Sequence, residues 1–175
     1  MFNYLTKLPF LKRLIPSITT RYYKLLKKNK KFFKVGNIKF YLDYLDPLDR
    51  KMIISQKYEY DQVYYLEEKM NKDTFSYFID IGANSGYYSF YFADKFKDIQ
   101  IKAFEPNIDA YTKLKKTLFK NQFKNVKIFN FGLSDEERKV KIRSMIKNGF
   151  IQSNSAVLDE SHNFNKKDFK IKDAI

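Results

Sequence analysis

The first elements that the sequence predicts are short segments in which apolar and polar residues alternate with a period of two. Ile38, Phe40 and Leu42 alternate with Lys39, Tyr41 and Asp43, which is the period of a half-buried strand. A second run, over residues 32–35, precedes them, and the pair Gly36-Asn37 lies between the two runs. This pattern predicts a β-hairpin with a two-residue turn.

Downstream, apolar runs of strand length alternate with segments of helical period. Strands are predicted over 77–81, 99–104 and 126–131, and helices from 49 onward and over 60–70, 87–96 and 108–119. The predicted buried sides of the last three helices are Val63, Leu66 and Met70; Tyr88, Tyr91 and Phe92; and Tyr111, Leu114 and Leu118. Alternation of strands and helices predicts an α/β fold with a parallel sheet.

The last part of the chain fits this plan less well. Residues 138–145 alternate again and predict a strand of an inserted hairpin, whereas 153–167 are polar and loop-like. A doubly wound core would need four more strands after the third. Residues 136–175 offer too little for them, and 169–175 resemble the beginning of one more strand. We therefore expect an incomplete, C-terminally truncated fold.

The candidate chemistry lies where the first two core strands end. Asp80 closes the first strand, Gly82 and Gly86 bracket the turn that follows it, and Glu105 closes the second strand. Glycines allow a sharp turn with a ligand close to the backbone, at the edge where ligands bind in open α/β sheets. Asp80 suits an amino group and Glu105 suits ribose hydroxyls, a pair that predicts S-adenosylmethionine.

A nicotinamide site is the competing interpretation of this turn. Its G-x-G-x-x-G fingerprint needs a middle glycine for close approach to a pyrophosphate, and here the spacing is G-x-x-x-G. Asp80 would also face that anionic group, which is unfavourable. The turn therefore favours a cationic ligand, although ordinary solvated acids after an ordinary turn remain the structural alternative.

The motifs D-I-G-A-N-S-G-Y-Y-S from Asp80, A-F-E-P-N from Ala103 and N-F-G-L-S-D from Asn130 resemble the FkbM family of S-adenosylmethionine-dependent methyltransferases. The resemblance covers about 58–135. It implies a Rossmann-like core and, in most members, O-methylation of sugars or secondary metabolites. The cofactor-binding residues that it implies are Asp80, Gly82, Ala83, Asn84, Gly86, Glu105, Pro106 and Ser134. The family's later I-K-I-D-x-E-G strand is missing here, which puts catalysis in doubt.

Composition limits the alternatives. The chain has a formal charge of +14 and no cysteine, so it has no disulfide framework and no cysteine-based metal site. Its four prolines are isolated, which excludes the paired-proline motif of amino-methylating nucleic-acid enzymes. A ribose methyltransferase and a non-catalytic fragment remain alternatives to the small-molecule or glycan methyltransferase. No metal cluster or catalytic base is predicted, and the single histidine, His162, lies in the polar region.

The N-terminal part is basic and aromatic. We predict an extension over 1–57 and a partial Rossmann-like methyltransferase domain over 58–175. Residues 21–33 interleave lysines with tyrosine, leucine and phenylalanine. They indicate either a helix packed on the core, which we favour, or a peripheral contact with an anionic membrane. No transmembrane segment and no secretory signal are predicted, so we expect a cytoplasmic protein.

Overall fold

The computed structural model describes residues 9–26, 28–56, 58–136, 139–147, 150–157 and 169–174. The helices are α1 (Pro9–Leu26), α2 (Pro47–Ser55), α3 (Tyr60–Lys72), α4 (Tyr87–Lys95) and α5 (Ile108–Asn121). The strands are β1 (Lys30–Val35), β2 (Ile38–Asp43), β3 (Tyr77–Ile81), β4 (Gln100–Phe104), β5 (Val126–Phe129), β6 (Val140–Lys147), β7 (Phe150–Val157) and β8 (Phe169–Ala174). The described chain is thus mixed α/β, as predicted. None of its helices is long and apolar enough to cross a membrane.

The central sheet consists of three parallel strands in the order β3-β4-β5, with α4 and α5 as the two connections. Asp80 pairs with Ala103 and Ile81 with Phe104, so the carboxyl ends of β3 and β4 lie level with each other. The predicted parallel sheet is therefore confirmed. Its register brings the segments that follow β3 and β4 to one edge, where the candidate chemistry lies.

At β3 only one face of this sheet is covered in the described part of the chain. On that face Phe78 packs against Phe92 of α4, and Ile101 and Ala103 are buried in the same core. On the other face the alternate residues of β3 are exposed, with 56% for Tyr77, 55% for Ile79 and 66% for Ile81. Parallel strands are normally covered on both sides, so this apolar face is unusual.

The predicted hairpin of β1 and β2 is confirmed, with Gly36 and Asn37 in its turn. The edge of β2 is completed by side chains of α5 instead of by another strand. Thr117 Oγ1 accepts a hydrogen bond from the backbone N–H of Tyr41 at 2.9 Å, and Asn121 bonds both the N–H and the C=O of Lys39 at 3.0 Å. These bonds satisfy backbone groups that an edge strand would leave unpaired.

Residues from both sides of the predicted boundary at 57/58 enter one core. Phe40 and Leu42 of β2 are almost fully buried with Phe90 of α4 and Leu114 of α5. The ring centroids of Phe40 and Phe90 lie 5.9 Å apart. The division into an extension and a domain stays a prediction, and the hairpin supplies part of the central core.

A second sheet follows the parallel one. Its strands are antiparallel in the order β7-β6-β8, so the predicted strand at 138–145 and its hairpin are confirmed. The prediction of a loop over 153–167 is wrong for its first part, because Ser153, Asn154 and Ser155 belong to β7. Polar residues form this strand because pairing with β6 satisfies their backbone. His162 lies outside the described residues.

The predicted buried side of α4 needs correction. Phe92 is buried as expected, but Phe90 and Ala93 are the other apolar residues fully inside, while Tyr88 and Tyr91 are half-buried. The two tyrosine hydroxyls donate hydrogen bonds to carboxylates of other segments, which holds these rings at the margin of the core. A phenol must keep its polar end paired, and the apolar pattern alone does not contain that requirement.

Candidate functional site

The site begins with the two acids at the strand ends. Asp80 is the fourth position of β3, and Glu105 directly follows β4. Burial raises the pKa of Glu105, and the negative charge of Asp80 raises it further. The register of β3 and β4 places the two acids at the same edge of the sheet, as the sequence predicted from the two strand ends.

Asp80 is fixed through one of its two carboxylate oxygens. Its Oδ2 accepts a hydrogen bond from the backbone N–H of Ser89 at 3.1 Å and from the Ser89 hydroxyl at 2.5 Å. Oδ1 receives no hydrogen bond from the described residues. Burial raises the pKa of Asp80. A partly buried carboxylate with one anchored and one free oxygen is ready to accept a donor from a ligand.

Both carboxylate oxygens of Glu105 accept hydrogen bonds from the described residues, whereas only one oxygen of Asp80 does. Oε2 accepts from the backbone N–H of Asn84 at 2.8 Å, and Oε1 accepts from the backbone N–H of Asn107 at 2.8 Å. The side chain is almost fully buried. Glu105 thus joins the turn after β3 to the turn after β4, and each oxygen keeps one lone-pair direction for another donor.

The turn between β3 and α4 follows the path that its glycines predict. Gly82 has a φ of +79° and Gly86 a φ of +85°, values that residues with a Cβ rarely adopt. A Cβ at Gly82 would meet no atom within 4 Å, whereas one at Gly86 would lie 2.4 Å from Leu114 Cδ1. Gly82 therefore borders open space, and Gly86 is required by packing.

The backbone of this turn is bound mainly by the protein itself. The N–H groups of Gly82 and Ala83 both donate to the C=O of Phe104, at 2.9 and 3.0 Å, and Ser89 donates to Asp80. The N–H groups in the first turn of a helix have no partner within the helix, and at Ser89 the carboxylate of Asp80 supplies one. Asn84 keeps an unused acceptor, because its buried Oδ1 has no hydrogen-bond partner among the described residues.

A cavity of about 510 Å³ lies beside the segments that follow β4 and β5. Pro106, Phe131 and Leu133 form part of its wall, together with Val140 and Ile142 of β6. Of the predicted cofactor residues, Pro106 and Ser134 line this cavity; Asp80, Gly82, Ala83, Asn84, Gly86 and Glu105 do not. Its volume and mostly apolar wall are typical of small-molecule sites.

Three aromatic rings connect this cavity to the sheet. The Phe104 and Phe129 rings stack with centroids 4.8 Å apart, and Phe131 meets both rings, at 5.4 and 5.6 Å. Phe131 also lines the cavity. Ring packing of this kind holds the wall in place, since each contact adds to the burial of both rings.

A buried ion cluster lies behind the site. Lys113 Nζ is 2.7 Å from Asp49 Oδ2 and 3.5 Å from Asp46 Oδ2, and all three side chains are almost fully buried. Burial raises the pKa of Asp49 to about 6 against the opposing effect of Lys113. The charge of Lys113 also partly opposes the effect of burial, which raises the pKa of Glu105.

Sequence reasoning missed several residues that shape the site. Ser89 holds Asp80, and Asn107 caps α5 and donates through Nδ2 to Ser144 Oγ at 3.1 Å. Asn130 donates to the C=O of Glu105 at 2.8 Å. An asparagine directly before an amphipathic run is an N-cap signal, so Asn107 could have been found from the sequence. The roles of Ser89, Asn130 and Lys113 depend on contacts between separate segments.

No model of a known protein family matches the chain, and no curated protein is significantly similar to it in sequence.

Proposed function

We propose that this protein is an S-adenosylmethionine-dependent methyltransferase with a Rossmann-like core, acting on a hydroxyl of a sugar or another small molecule. The observation that carries the proposal is the state of Asp80. Ser89 anchors Oδ2 of this carboxylate, Oδ1 accepts no hydrogen bond from the part of the chain that the structure describes, and Gly82 leaves open space two residues further on. A fixed anion beside an open turn suits a cationic amino group.

The other predicted residues fit the rest of such a cofactor. Glu105 keeps acceptor capacity for ribose hydroxyls, and Asn84 Oδ1, at the turn after β3, has no hydrogen-bond partner among the described residues. The cavity beside Pro106 and Ser134 is large enough for an adenine ring, and its wall is mostly apolar. Asp80 would hold the amino end, Glu105 the ribose and the cavity wall the base.

The bound cofactor would supply a methyl group already activated by a positively charged sulfur. The protein's own task is then mainly to hold the acceptor oxygen in line with the methyl carbon, which is a matter of positioning. With the cofactor held by Asp80 and Glu105, its methyl group would pass to the acceptor oxygen, the C–S electron pair would stay on sulfur, and the hydroxyl proton would go to a base or to water. The resemblance to FkbM methyltransferases supports a small-molecule or glycan acceptor.

Calorimetric titration of the chain with S-adenosylmethionine and with its demethylated product tests the proposal. Asp80→Asn and Glu105→Gln each remove a charge at nearly constant shape, and each is expected to cost roughly 1.5–3 kcal/mol of affinity. Asp98→Asn is the matched control, since this exposed acid lies outside the site. Transfer of labelled methyl to a panel of sugar and small-molecule hydroxyls would follow.

Circular dichroism must accompany these titrations, because Asp80 and Glu105 also bind backbone N–H groups of the fold. A variant that keeps its helical signal and its unfolding transition but loses affinity supports the assigned site. If both site variants bind the cofactor as well as Asp98→Asn does, the site is wrong. If the parent chain binds neither compound, the cofactor class is wrong.

A further inference from the structure

Helix α1 carries an apolar stripe that the described part of the chain does not cover. Leu14, Ile18, Tyr22 and Leu25 follow one another at intervals of three or four residues, so they lie on one side of the helix. Their exposed fractions are 38%, 63%, 56% and 83%, and the adjacent Leu26 is 46% exposed. Large apolar side chains at such spacing are usually buried, so their exposure calls for a partner.

The opposite side of α1 is the one that meets the rest of the protein. Tyr23 packs against Tyr44 with ring centroids 4.7 Å apart and against Phe33 at 6.4 Å. The side with Tyr23 therefore attaches the helix, and the stripe points away from the core. Of the apolar residues expected to pack on the core, Tyr23 does so, whereas Tyr22, Leu25 and Leu26 are exposed.

The charged residues of α1 and of the segments next to it in sequence are all basic. The first acidic residue of the whole chain is Asp43, whereas lysine and arginine recur from Lys7 onward. Arg21 borders the stripe on the helix surface, and Lys28 follows the helix end; both are exposed. A partner surface must therefore be anionic as well as able to receive apolar side chains.

We propose that α1 binds the surface of an anionic lipid bilayer, lying in the interface with its stripe inserted among the lipids. An amphipathic helix with apolar residues on one side and basic residues beside them binds membranes in this way. Negatively charged headgroups attract the lysines and arginines, and the acyl region receives the leucines, the isoleucine and the tyrosine. At 1.5 Å per residue, the stripe from Leu14 to Leu25 offers a contact about 17 Å long.

Two other partners fit these observations less well. A second copy of the chain would bring two acid-free basic segments together, and their like charges repel. A nucleic acid would satisfy the lysines and arginines through its phosphates, but it has no use for a stripe of leucine and isoleucine. The combination of stripe and charge favours the bilayer.

Binding to vesicles can be followed with a single reporter. The chain contains no tryptophan, so Tyr22→Trp places one fluorophore in the stripe. With vesicles of phosphatidylcholine and phosphatidylserine, its emission is expected to shift to the blue and the protein to co-sediment. Both effects should weaken with phosphatidylcholine alone and with added salt, because anionic headgroups supply part of the attraction.

Two double variants of the full chain separate the two contributions. Ile18→Ser with Leu25→Ser removes stripe residues and should lower partitioning by about tenfold or more. Arg21→Gln with Lys28→Gln should lower binding only where phosphatidylserine is present. The matched controls are Phe119→Ser, at an apolar residue of α5 that is 69% exposed, and Lys124→Gln with Lys127→Gln. Neither control should change binding.

Each other result overturns the proposal. These results are absence of vesicle binding, equal binding by the stripe variant, equal loss in the controls, and self-association that the stripe variant abolishes without any vesicle binding. A heparin or oligonucleotide arm identifies binding by charge alone, which the stripe variant would retain. If the double serine variant loses its circular dichroism signal, Leu25→Ser alone, at the most exposed position of the stripe, replaces it.

Discussion

Asp80 and Ser89 are joined by two hydrogen bonds that both end on Oδ2 of the carboxylate, one from the Ser89 backbone N–H and one from its hydroxyl. Ser89 lies in the first turn of α4, so the same carboxylate also satisfies an N–H that the helix leaves unpaired. The candidate ligand-binding acid therefore helps to begin the helix, and its orientation is set before any ligand arrives.

Ser89→Ala should loosen this arrangement without removing the charge. The hydroxyl bond to a carboxylate is lost, at an expected cost of roughly 1.5–3 kcal/mol of unfolding free energy. The affinity for a cationic ligand should fall too, because Asp80 is no longer held in one position. Chemical unfolding and calorimetric titration measure the two effects. An unchanged stability would mean that the hydroxyl contributes nothing to the turn.

The two glycines of the turn should respond differently to alanine. Gly82→Ala is expected to cost about 1–2 kcal/mol, since only the positive φ is strained and the Cβ has room. Gly86→Ala combines the same strain with clashes against Leu114 and Phe90, so about 3 kcal/mol or more is expected. Urea unfolding of both variants measures the difference, and equal losses would contradict the packing role of Gly86.

A larger substitution at Gly82 can distinguish an effect on ligand binding from an effect on the fold. Because open space borders Gly82, a larger side chain there should hinder a ligand more than it disturbs the core. Gly82→Val is therefore expected to abolish cofactor binding while most of the circular dichroism signal remains. Unchanged affinity in a folded Gly82→Val variant would make this glycine a requirement of the turn only.

Lys113→Met should lower the free energy of unfolding, because it removes the cation that pairs with two buried carboxylates. Removal of one partner from a buried ion cluster typically costs about 3–5 kcal/mol, because Asp46 and Asp49 are left without their cation. The exposed Lys115→Met on the same helix is the control and should change stability by less than about 0.5 kcal/mol.

The loss of unfolding free energy in Lys113→Met should be larger at higher pH. Burial already raises the pKa of Asp49 to about 6, and removal of the lysine raises it further. A carboxyl whose pKa is higher in the folded than in the unfolded state binds its proton more tightly when the protein is folded. Its stabilising contribution is therefore present at low pH and is lost as pH rises through the folded-state pKa. The variant should therefore be less impaired near about pH 5 than near about pH 7. Equal impairment at both values would argue against Asp49 as the cause.

The exposed face of the parallel sheet should promote self-association. Ile79→Thr with Ile81→Thr keeps residues that favour strands but removes apolar surface that is more than half exposed. The expected change in stability is small, and light scattering at increasing concentration should fall. Ile101→Thr is the contrasting variant. Ile101 is 1% exposed, so this substitution should strongly destabilise the protein. If scattering is the same in the parent and the double variant, this face does not drive association.

Several elements of this protein follow from the sequence alone. The hairpin of β1 and β2, the three parallel strands and the strand at β6 were predicted because their patterns are local: the period of two, the turn glycine and the alternation of strand with helix require no knowledge of distant residues. The positions of Asp80 and Glu105 at one sheet edge also follow, since parallel strands connected by helices end on the same side.

Only the tertiary structure decides what those residues do once they are assembled. Ser89 reaches Asp80, Lys113 reaches Asp49, and Thr117 completes the edge of β2, each across a separation in sequence that no periodicity records. The polar strand β7 forms because β6 pairs with it, and α1 exposes its stripe because Tyr23 attaches the other side. Such pairings depend on which surfaces meet, and a buried polar group selects its partner only after the chain has brought the two together.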